Sequence, residues 1–238
     1  MKIQVRRAEY RDVEAMREFY RQEANCQIIH DSFLRRGLAD PYLILVEGRV
    51  GGYGAVGNKY PKDQLTEFYT LPYMRRFALP MCRELLDFSG ATQMEAQTNM
   101  PLMLLMLYDC AKNITAENVL FEDAFVTHLA CPDGLFRRAT PEDRDVDSDW
   151  LIEANGAVVA KGGFLCHYNP PYGDVYMEVV ESARQKGFGS YFVQEVKRVC
   201  YEAGRKPAAR CNPDNIASRR TLQKAGLLPC GRLLVGQV

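Results

Sequence analysis

Strand-like patterns recur through the first half of the chain. Alternating or short continuous apolar runs, bounded by glycine, proline or polar pairs, predict β-strands. The predicted strands are Ile3–Ala8, Tyr42–Val46, Val50–Val56, Leu65–Leu71, Thr92–Gln97 and one or two strands within Asn118–His128. Glu47-Gly48 separates the second strand from the third, which indicates a hairpin.

Helical spacing, with apolar residues every three to four positions, fills the gaps between these strands. The predicted helices are Tyr10–Ala24, Gln27–Arg36, Leu79–Phe88 and Met100–Ala111. The side chains predicted to face inward are Val13, Met16, Phe19 and Tyr20 in the first helix and Met81, Cys82, Leu85, Leu86 and Phe88 in the third. Asp12 is a candidate cap for the first helix, and Gly90 is predicted to end the third. The fourth helix is almost wholly apolar, so we predict that it is buried.

The second half repeats this order of elements. Arg137-Arg138-Ala139 echoes Arg6-Arg7-Ala8 at the start of the first strand. The strands and helices predicted after it are Trp150–Ala154, Ala157–Cys166, Asp174–Val180, helix Ser190–Tyr201, Pro207–Cys211, helix Ile216–Ala225 and Leu227–Val235. The apolar stripe of the helix Ser190–Tyr201 is Phe192, Val193, Val196, Val199 and Cys200. The alternation predicts an α+β, α/β-layered architecture of two tandem related domains, residues 1–130 and 131–238, with mixed central sheets flanked by helices.

The second copy is trimmed. About thirty residues of helical pattern separate the first two strands of the first half, whereas only Thr140–Asp149 separates them in the second. That short segment is rich in aspartate and glutamate, which predicts a solvated acidic loop.

Composition excludes several classes of protein. The chain has 238 residues, 47% of them hydrophobic, and its formal net charge is zero, which argues against a dedicated nucleic-acid binder. Residues 183–238 nevertheless hold eleven basic and three acidic residues, a formal +8, which suggests a polyanionic partner; solvated helix faces are the alternative explanation for most of these side chains. The longest apolar run, Met100 to Tyr108, has nine residues, short of the roughly 18 that a membrane span needs.

The N-terminal residues lack the apolar segment of a signal peptide, and the eight cysteines include no CxxC pair. We therefore expect a cytoplasmic protein, not a membrane protein, whose cysteines are small buried apolar side chains. His128 and Cys131 form an HxxC pair, but no second pair lies nearby, so no metal site is predicted.

The string from Val179 to Ser190 combines a strand end, a glycine-bearing turn and the start of an amphipathic helix. In such a turn successive backbone N–H groups point into one concavity, and the helix dipole favours an anion there. Gly187 and Gly189 let an anion approach the backbone, while Arg184 and Lys186 add positive charge. GxxxxGK[ST] and GxGxxG are both absent. The string predicts a site for an anion of pyrophosphate size, although a plain structural turn is an alternative.

A second string, Asn212 to Leu227, follows about thirty residues later. Together the two strings resemble the GNAT superfamily of acyl-CoA-dependent N-acetyltransferases, in which RxxGxG holds the pyrophosphate of coenzyme A and an asparagine-bearing segment begins the next helix. The match covers Asp174 to Leu234. Residues 138–143 are also similar to the opening strand of that family, whereas the N-terminal half resembles the fold in element order only.

The resemblance implies acetyl-CoA as co-substrate and assigns a role to each matching residue. The residues implied to bind it are Val179 and Val180 through their backbones, Arg184, Gln185, Lys186, Gly187, Phe188, Gly189 and Ser190 at the pyrophosphate, and Asn215 at the pantetheine arm or a water molecule. The acceptor amine would attack the thioester directly, so a base must first take a proton from its ammonium form. Glu178 is the candidate base and Glu181 the alternative; either is equally well explained as a surface carboxylate.

The sequence departs from the family pattern in several places. Leu222 stands where many members have a tyrosine that protonates the leaving thiolate; Ser218 is the candidate substitute, or simply a polar residue of the first helical turn. The helical pair that lines the acceptor site is missing, so we expect the acceptor in a cleft between the halves, near Asp174–Glu178. The last strand of the sheet is missing or supplied by the N-terminal half.

In the N-terminal half, residues 71–77 contain no glycine, so no cofactor is expected there. The expected partner is a small-molecule or peptide amine, and the expected state is a monomer or homodimer. Two alternatives to an enzyme remain: a coenzyme A-binding module or sensor without turnover, and a structural protein that has only the fold.

Overall fold

The computed structural model describes residues 1–23, 31–131, 133–143, 147–167 and 170–238. They form two compact units: unit 1 comprises Met1–Asn118 and Gly231–Val238, and unit 2 comprises Val119–Cys230. Compared with the predicted halves, residues 119–130 lie in unit 2 and the last eight residues lie in unit 1.

Unit 1 consists of a mixed sheet and four described helices. Its strands are β1 (Ile3–Arg7), β2 (Ala39–Val46), β3 (Arg49–Asn58), β4 (Lys62–Thr70), β5 (Gln93–Gln97) and the end of β12 (Leu227–Gln237), in that order across the sheet. Its helices are α1 (Tyr10–Gln22), α2 (Asp31–Arg35), α3 (Ala78–Ser89) and α4 (Pro101–Cys110). The pair β4–β5 is parallel. The pairs β1–β2, β2–β3, β3–β4 and β5–β12 are antiparallel. The last residue of the predicted helix Tyr10–Ala24 and residues 27–30 of the predicted helix Gln27–Arg36 lie outside the described residues.

Unit 2 has the same kind of architecture. Its strands, in sheet order, are the end of β6 (Lys112–Asp123), β11 (Lys206–Cys211), β10 (Tyr172–Val179), β9 (Ala157–Leu165), β8 (Trp150–Ala154) and β7 (Leu135–Arg138). Its helices are α5 (Phe188–Glu202) and α6 (Ile216–Lys224). The pair β10–β11 is parallel. The predicted α+β architecture, with mixed sheets flanked by helices, is thus confirmed.

Each unit is completed by a strand from the other half of the sequence. In unit 1, Leu233–Gln237 of β12 pair with all of β5. In unit 2, Val119–Glu122 of β6 pair with β11. Of the two alternatives expected for the last strand of the second half's sheet, the structure shows the second: the N-terminal half supplies a strand, the end of β6, whereas the end of β12 lies in the sheet of unit 1.

Most predicted inward faces are confirmed, but two phenylalanines are corrections. The stripe of α5 is fully buried, as are Val13, Met16 and Tyr20 of α1. Phe19 is 53% exposed because the buried face of α1 runs through positions 13, 16, 17 and 20, and Phe19 lies about 110° from its centre. Phe88 is 54% exposed; it lies at the margin of the buried face of α3, with its ring edge against Tyr42.

The complete burial predicted for α4 is also wrong, because Leu105 and Tyr108 are exposed while Met103, Met106 and Leu107 are buried. Asp12 takes part in a capping box: the backbone N–H of Glu9, the N-cap, donates to its carboxylate. No helix among the described residues is long and apolar enough to cross a membrane.

The core of unit 1 contains a charged pair. Arg17 donates two hydrogen bonds to Glu67, at 3.0 and 2.7 Å, and Tyr53 donates a third at 2.8 Å. The two charged side chains are 0% and 1% exposed. Burying charges is tolerable because each carboxylate oxygen has a donor.

Candidate functional site

The loop between β10 and α5 has the backbone shape of an anion cradle. A 3-10 turn, Glu181–Ala183, follows β10, and α5 begins at Phe188. Gln185 and Gly187 have positive φ angles of 62° and 91°. These two left-handed residues form a tight turn directly before α5. The turn therefore lies at the N-terminus of α5, which is the positive end of the helix dipole.

The end of this loop and the first turn of α5 present a row of backbone donors without a partner in the described part of the chain. None of the six N–H groups from Gln185 to Ser190 makes a well-formed hydrogen bond to a described residue, whereas that of Tyr191 donates to Gly187 O at 3.1 Å. Six adjacent free donors at a helix N-terminus are suited to a multivalent anion such as a phosphate or pyrophosphate. The Lys186 side chain has no hydrogen bond or ion pair within the described chain, so its charge is available.

Other polar groups of the loop hold it in shape. Arg184 Nε donates to Val179 O at 3.3 Å, and its backbone N–H donates to Glu181 O. The Ser190 hydroxyl donates to Gly187 O at 3.0 Å and is buried. Arg184 and Ser190 therefore fix the turn, in addition to any contact they make with a ligand.

The two glycines of the loop serve different purposes. A Cβ on Gly187 would meet nothing within 4 Å, so its role is the positive φ. A Cβ on Gly189 would lie 3.2 Å from Thr221 Cγ2 and 3.3 Å from Val179 Cγ2. The role of Gly189 in the structure is thus close packing of α5 against β10 and α6.

Strands β10 and β11 separate next to this loop. They pair only from Tyr172 to Asp174, opposite Lys206 to Ala208. Beyond that point β10 stays paired with β9 as far as Val179, opposite Ala160. The β11-facing edge of the rest of β10 is therefore unpaired, and its backbone groups are available to an extended ligand.

The two valines predicted to offer backbone groups differ. Val179 lies on this strand, and its carbonyl accepts from Arg184. The N–H of Val180 donates to Val159 O at 3.0 Å, and its carbonyl accepts from Ala183. Val180 thus has no free backbone donor.

Carboxylates of two kinds lie along β10. Glu178 is 68% exposed, and its carboxylate lies 3.7 Å from Lys161 Nζ. Asp174, at the last paired position, is buried, and Arg210 Nε lies 3.3 Å from its carboxylate. Burial raises the pKa of Asp174 to about 6, against the opposing effect of Arg210. The sequence analysis used Asp174 only to locate the expected acceptor cleft; it missed the buried carboxyl as a candidate titratable group, because that burial depends on the sheet.

The remaining predicted residues lie at the start of α6. Asn215 is the N-cap, and its side chain accepts from the backbone N–H of Ser218 at 3.0 Å. The Ser218 hydroxyl interacts with Cys211 at the end of β11 and favours its thiolate form; burial, the larger effect, raises the pKa of that thiol. Leu222 is buried in the core of unit 2.

Unit 1 lacks an equivalent loop. Its β4–β5 pair also separates early, after Leu65 and Met94. The residues between β4 and α3 form a 3-10 helix, Pro72–Phe77, which contains no glycine. A cavity of about 500 Å³ lies elsewhere in unit 1, lined in part by Arg6, Tyr10 and Asp40, and holds none of the predicted site residues.

His128 and Cys131 are not part of any group of three or more metal-ligating side chains within the described ranges. The seven described cysteines are free thiols. Cys166 is exposed and Cys110, Cys131 and Cys230 are half-buried, which corrects the expectation that all cysteines are buried; Cys26 lies outside the described residues.

Comparisons with known proteins match the fold. No protein-family model and no curated protein sequence matches the chain. Among solved structures, a GNAT-family acetyltransferase from Colwellia psychrerythraea superposes with a TM-score of 0.75 at 13% identity, covering 100% of this chain and 99% of that one. A GCN5-related N-acetyltransferase from Sphaerobacter thermophilus gives 0.59 at 14% identity, covering 99% and 95%. A tandem GNAT protein from the clavulanic acid biosynthesis pathway gives 0.58 at 12% identity, covering 99% and 98%.

The chain therefore has the fold of GNAT acetyltransferases, including one with two GNAT domains in tandem. The expected resemblance and fold are confirmed at that level, and identities of 12–14% carry the comparison no further than the fold.

Proposed function

We propose that the chain is an N-acetyltransferase that transfers the acetyl group of acetyl-CoA to a primary amine of a small molecule or peptide. The observation that carries this proposal is the row of six free N–H groups from Gln185 to Ser190, next to the unpaired edge of β10. A pyrophosphate fits the first feature, and an extended, amide-bearing arm fits the second.

In this proposal the site belongs to the second tandem domain, residues 131–238, and the first domain carries none. When bound, acetyl-CoA supplies an activated acetyl thioester. The free donors of Gln185 to Ser190 bind its pyrophosphate, with Lys186 adding charge, and the backbone of Val179 lies along its pantetheine arm. Asn215 and Ser218 form the cap of α6 next to Cys211, at the end of β11.

The chain must also remove a proton from the acceptor ammonium. Glu178 is the proposed base, with Glu181 as the alternative; the exposed Glu178 carboxylate lies 3.7 Å from Lys161 Nζ, at the end of β10 that approaches the loop. Asp174 is a third candidate, since a carboxyl with a pKa of about 6 exchanges protons near neutrality. Three single substitutions distinguish these candidate bases: Glu178→Gln, Glu181→Gln and Asp174→Asn. The substitution that removes the true base is expected to remove the acidic limb of the kcat/KM–pH profile, and the other two should leave that limb in place.

Isothermal titration of acetyl-CoA tests the donor site. Gly187→Glu places a carboxylate in the loop at a positive φ, and we expect it to abolish binding. Gly204→Glu is the matched control, because Gly204 also has a positive φ, of 73°, and open space around a Cβ, but lies beyond the other end of α5. Absence of binding to the unmodified chain, or equal loss in both variants, would contradict the proposal.

A coenzyme A-binding module without turnover is the second candidate. Leu222, a buried apolar side chain at the usual tyrosine position, favours it. Thiol release from acetyl-CoA in the presence of a panel of amines decides between the two: binding without amine-dependent release identifies the module.

A further inference from the structure

The cavity of about 500 Å³ in unit 1 has no part in the proposed transfer of an acetyl group. Its volume is within the range of small-molecule sites in proteins. It lies where β1 ends and α1 begins, next to the start of β2 and the end of β3. Its lining combines two guanidinium groups, those of Arg6 and Arg7, with two buried apolar side chains, Leu34 and Ala39. The cavity therefore offers both a charged and an apolar surface to a ligand.

The two arginines of this cavity differ in their partners. Arg7 Nη2 donates to Asp40 Oδ2 at 2.7 Å, and Asn58 Nδ2 donates to the other oxygen of that carboxylate at 2.9 Å. Arg6 Nη1 donates to Arg7 O at 3.4 Å, and no carboxylate in the described part of the chain forms an ion pair with Arg6. The charge of Arg7 is thus compensated, whereas that of Arg6 is not.

The second repeat contains an arginine at the equivalent position, Arg137 of β7. Arg6 pairs with Leu43 of β2, and Arg137 pairs in the same way with Leu151 of β8. Both guanidinium groups donate from Nη1 to the carbonyl oxygen of the next residue, at 3.4 and 3.3 Å. Arg137, unlike Arg6, also donates two hydrogen bonds to Asp143, at 2.7 and 2.8 Å. In this setting the arginine therefore holds a carboxylate in a bidentate geometry.

A second carboxylate contacts Arg137 and has no counterpart in unit 1. Arg137 Nε donates to Glu153 at 3.1 Å. In the sheet register Leu45 occupies the position of Glu153, because each of them pairs with the residue two before its arginine. An apolar side chain therefore stands in unit 1 where unit 2 has a carboxylate.

The first carboxylate does have a counterpart, Asp12, but it is not bound to the arginine. Asp143 accepts a hydrogen bond from the backbone N–H of Thr140 at 2.8 Å, and Asp12 accepts one from that of Glu9 at 3.0 Å. In each case the acceptor is three residues after the donor. Asp12 lines the cavity together with Arg6, yet the structure shows no ion pair between them over the ranges it describes. Arg6 therefore lacks both carboxylate partners that its equivalent has in unit 2.

We propose that this cavity binds a small organic monocarboxylate with an apolar body. The carboxylate of the ligand accepts hydrogen bonds from Arg6, as Asp143 does from Arg137, and the apolar body packs against Leu34 and Ala39. The site is separate from the acetyl-CoA site of the proposed function and does not depend on it.

The charge of the lining favours a single negative charge on the ligand. Glu9, Asp12 and Asp40 also line the cavity. A dianion such as a phosphate monoester would bring a second negative charge among three carboxylates, which repel it. A monocarboxylate matches the one positive charge that Arg6 leaves uncompensated.

Benzoate is a simple probe of this class, since it joins a carboxylate to an apolar ring. Titration of benzoate into the isotope-labelled full-length chain, followed by the backbone amide signals in NMR spectra, measures its binding. We expect saturable shifts at Arg6, Ala8 and Tyr10. Benzamide, which lacks the charge, and phenyl phosphate, which is a dianion above neutral pH, should bind at least about tenfold more weakly. No saturable shift at about 10 mM benzoate, or equal affinity for either analogue, would overturn the proposal.

Arg6→Gln is expected to weaken benzoate binding at least about tenfold, because the guanidinium that holds the carboxylate is lost. Arg11→Gln is the matched control and should leave the affinity unchanged. Arg11 is also exposed and lies close by in sequence, but it does not line the cavity. Equal benzoate affinities in these two variants would contradict the proposal.

Leu45→Glu supplies the carboxylate that unit 2 has at the equivalent position. We expect this carboxylate to pair with Arg6 and to weaken benzoate binding, whereas Leu45→Gln, of the same shape but uncharged, should keep the affinity of the unmodified chain. Circular dichroism establishes that each variant is folded. Benzoate binding by Leu45→Glu that is as tight as binding by Leu45→Gln would also overturn the proposal.

Discussion

The side-chain oxygen of Asn215 accepts a hydrogen bond from the backbone N–H of Ser218 at 3.0 Å, so these two predicted site residues together form one helix cap. Replacing Asn215 therefore also removes the cap of α6. A variant that keeps the cap separates this structural role from direct contact.

Asn215→Ala is expected to lower the free energy of unfolding by about 1 kcal/mol, because the Ser218 N–H loses its acceptor. Asn215→Asp should stay within a few tenths of a kcal/mol of the unmodified chain, because aspartate caps equally well. Urea unfolding measures both. Equal destabilisation by the two substitutions would show that the cap is not what stabilises the helix.

Leu222→Tyr tests whether the core of unit 2 can accommodate a tyrosine at this position, where many members of the family have one. Leu222 is buried in the core of unit 2 with Phe192 and Val196, so the larger ring is expected to cost about 1–3 kcal/mol of stability. Leu222→Met, of similar volume, should cost less than about 1.5 kcal/mol. Thermal unfolding compares them; a tyrosine variant as stable as the methionine variant would contradict this packing.

Asp174→Asn is expected to change how stability depends on pH. Because burial raises the pKa of Asp174 from 3.8 to about 6, the folded chain binds a proton there that the unfolded chain releases. This group therefore stabilises the fold below about pH 4 relative to neutral pH, and the advantage is lost as the pH rises to 6. Relative to Asp174→Asn, the unmodified chain should lose up to about 3 kcal/mol over that interval.

Urea midpoints of both chains at pH 4, 5, 6 and 7 measure this difference. Glu178→Gln is the control for an exposed carboxylate of the same strand. If the difference in unfolding free energy between the unmodified chain and Asp174→Asn stayed constant from pH 4 to pH 7, the raised pKa of the Asp174 carboxyl would be contradicted.

Arg17→Met should be severely destabilising, by about 3–5 kcal/mol, because it leaves the Glu67 carboxylate buried with its charge unpaired. Arg17→Met combined with Glu67→Gln should recover a large part of that loss, since the amide still accepts from Tyr53 and carries no charge. Denaturant unfolding of the two singles and the double provides the coupling energy. A double variant less stable than Arg17→Met would contradict this explanation.

The local elements were predictable because they depend on periodicity and on punctuation by glycine. The buried stripe of α5 and the left-handed Gly90 at the end of α3 follow directly from the sequence. Phe19 and Phe88 were misplaced because an apolar residue near the edge of a helical face is buried only if something packs over it, and the sequence does not show what does.

The candidate site was predictable at the loop and less so around it. The glycines and basic residues of 184–189 mark the turn, whereas the packing of Gly189 against Thr221 depends on how α6 returns to β10. The burial of Asp174 depends on β9, β11 and Arg210, which are distant from it in sequence. No spacing rule for motifs contains such contacts.

The exchange of final strands has a consequence for dividing the protein. Expressing residues 131–238 alone would remove Val119–Glu122, the partner of β11, and leave that strand with an open edge. Residues 1–130 alone would likewise lose the strand that covers β5. Residue 130 is the predicted boundary between the two repeats in the sequence. Dividing the chain there would remove one strand from the sheet of each unit. We therefore expect neither half to fold on its own.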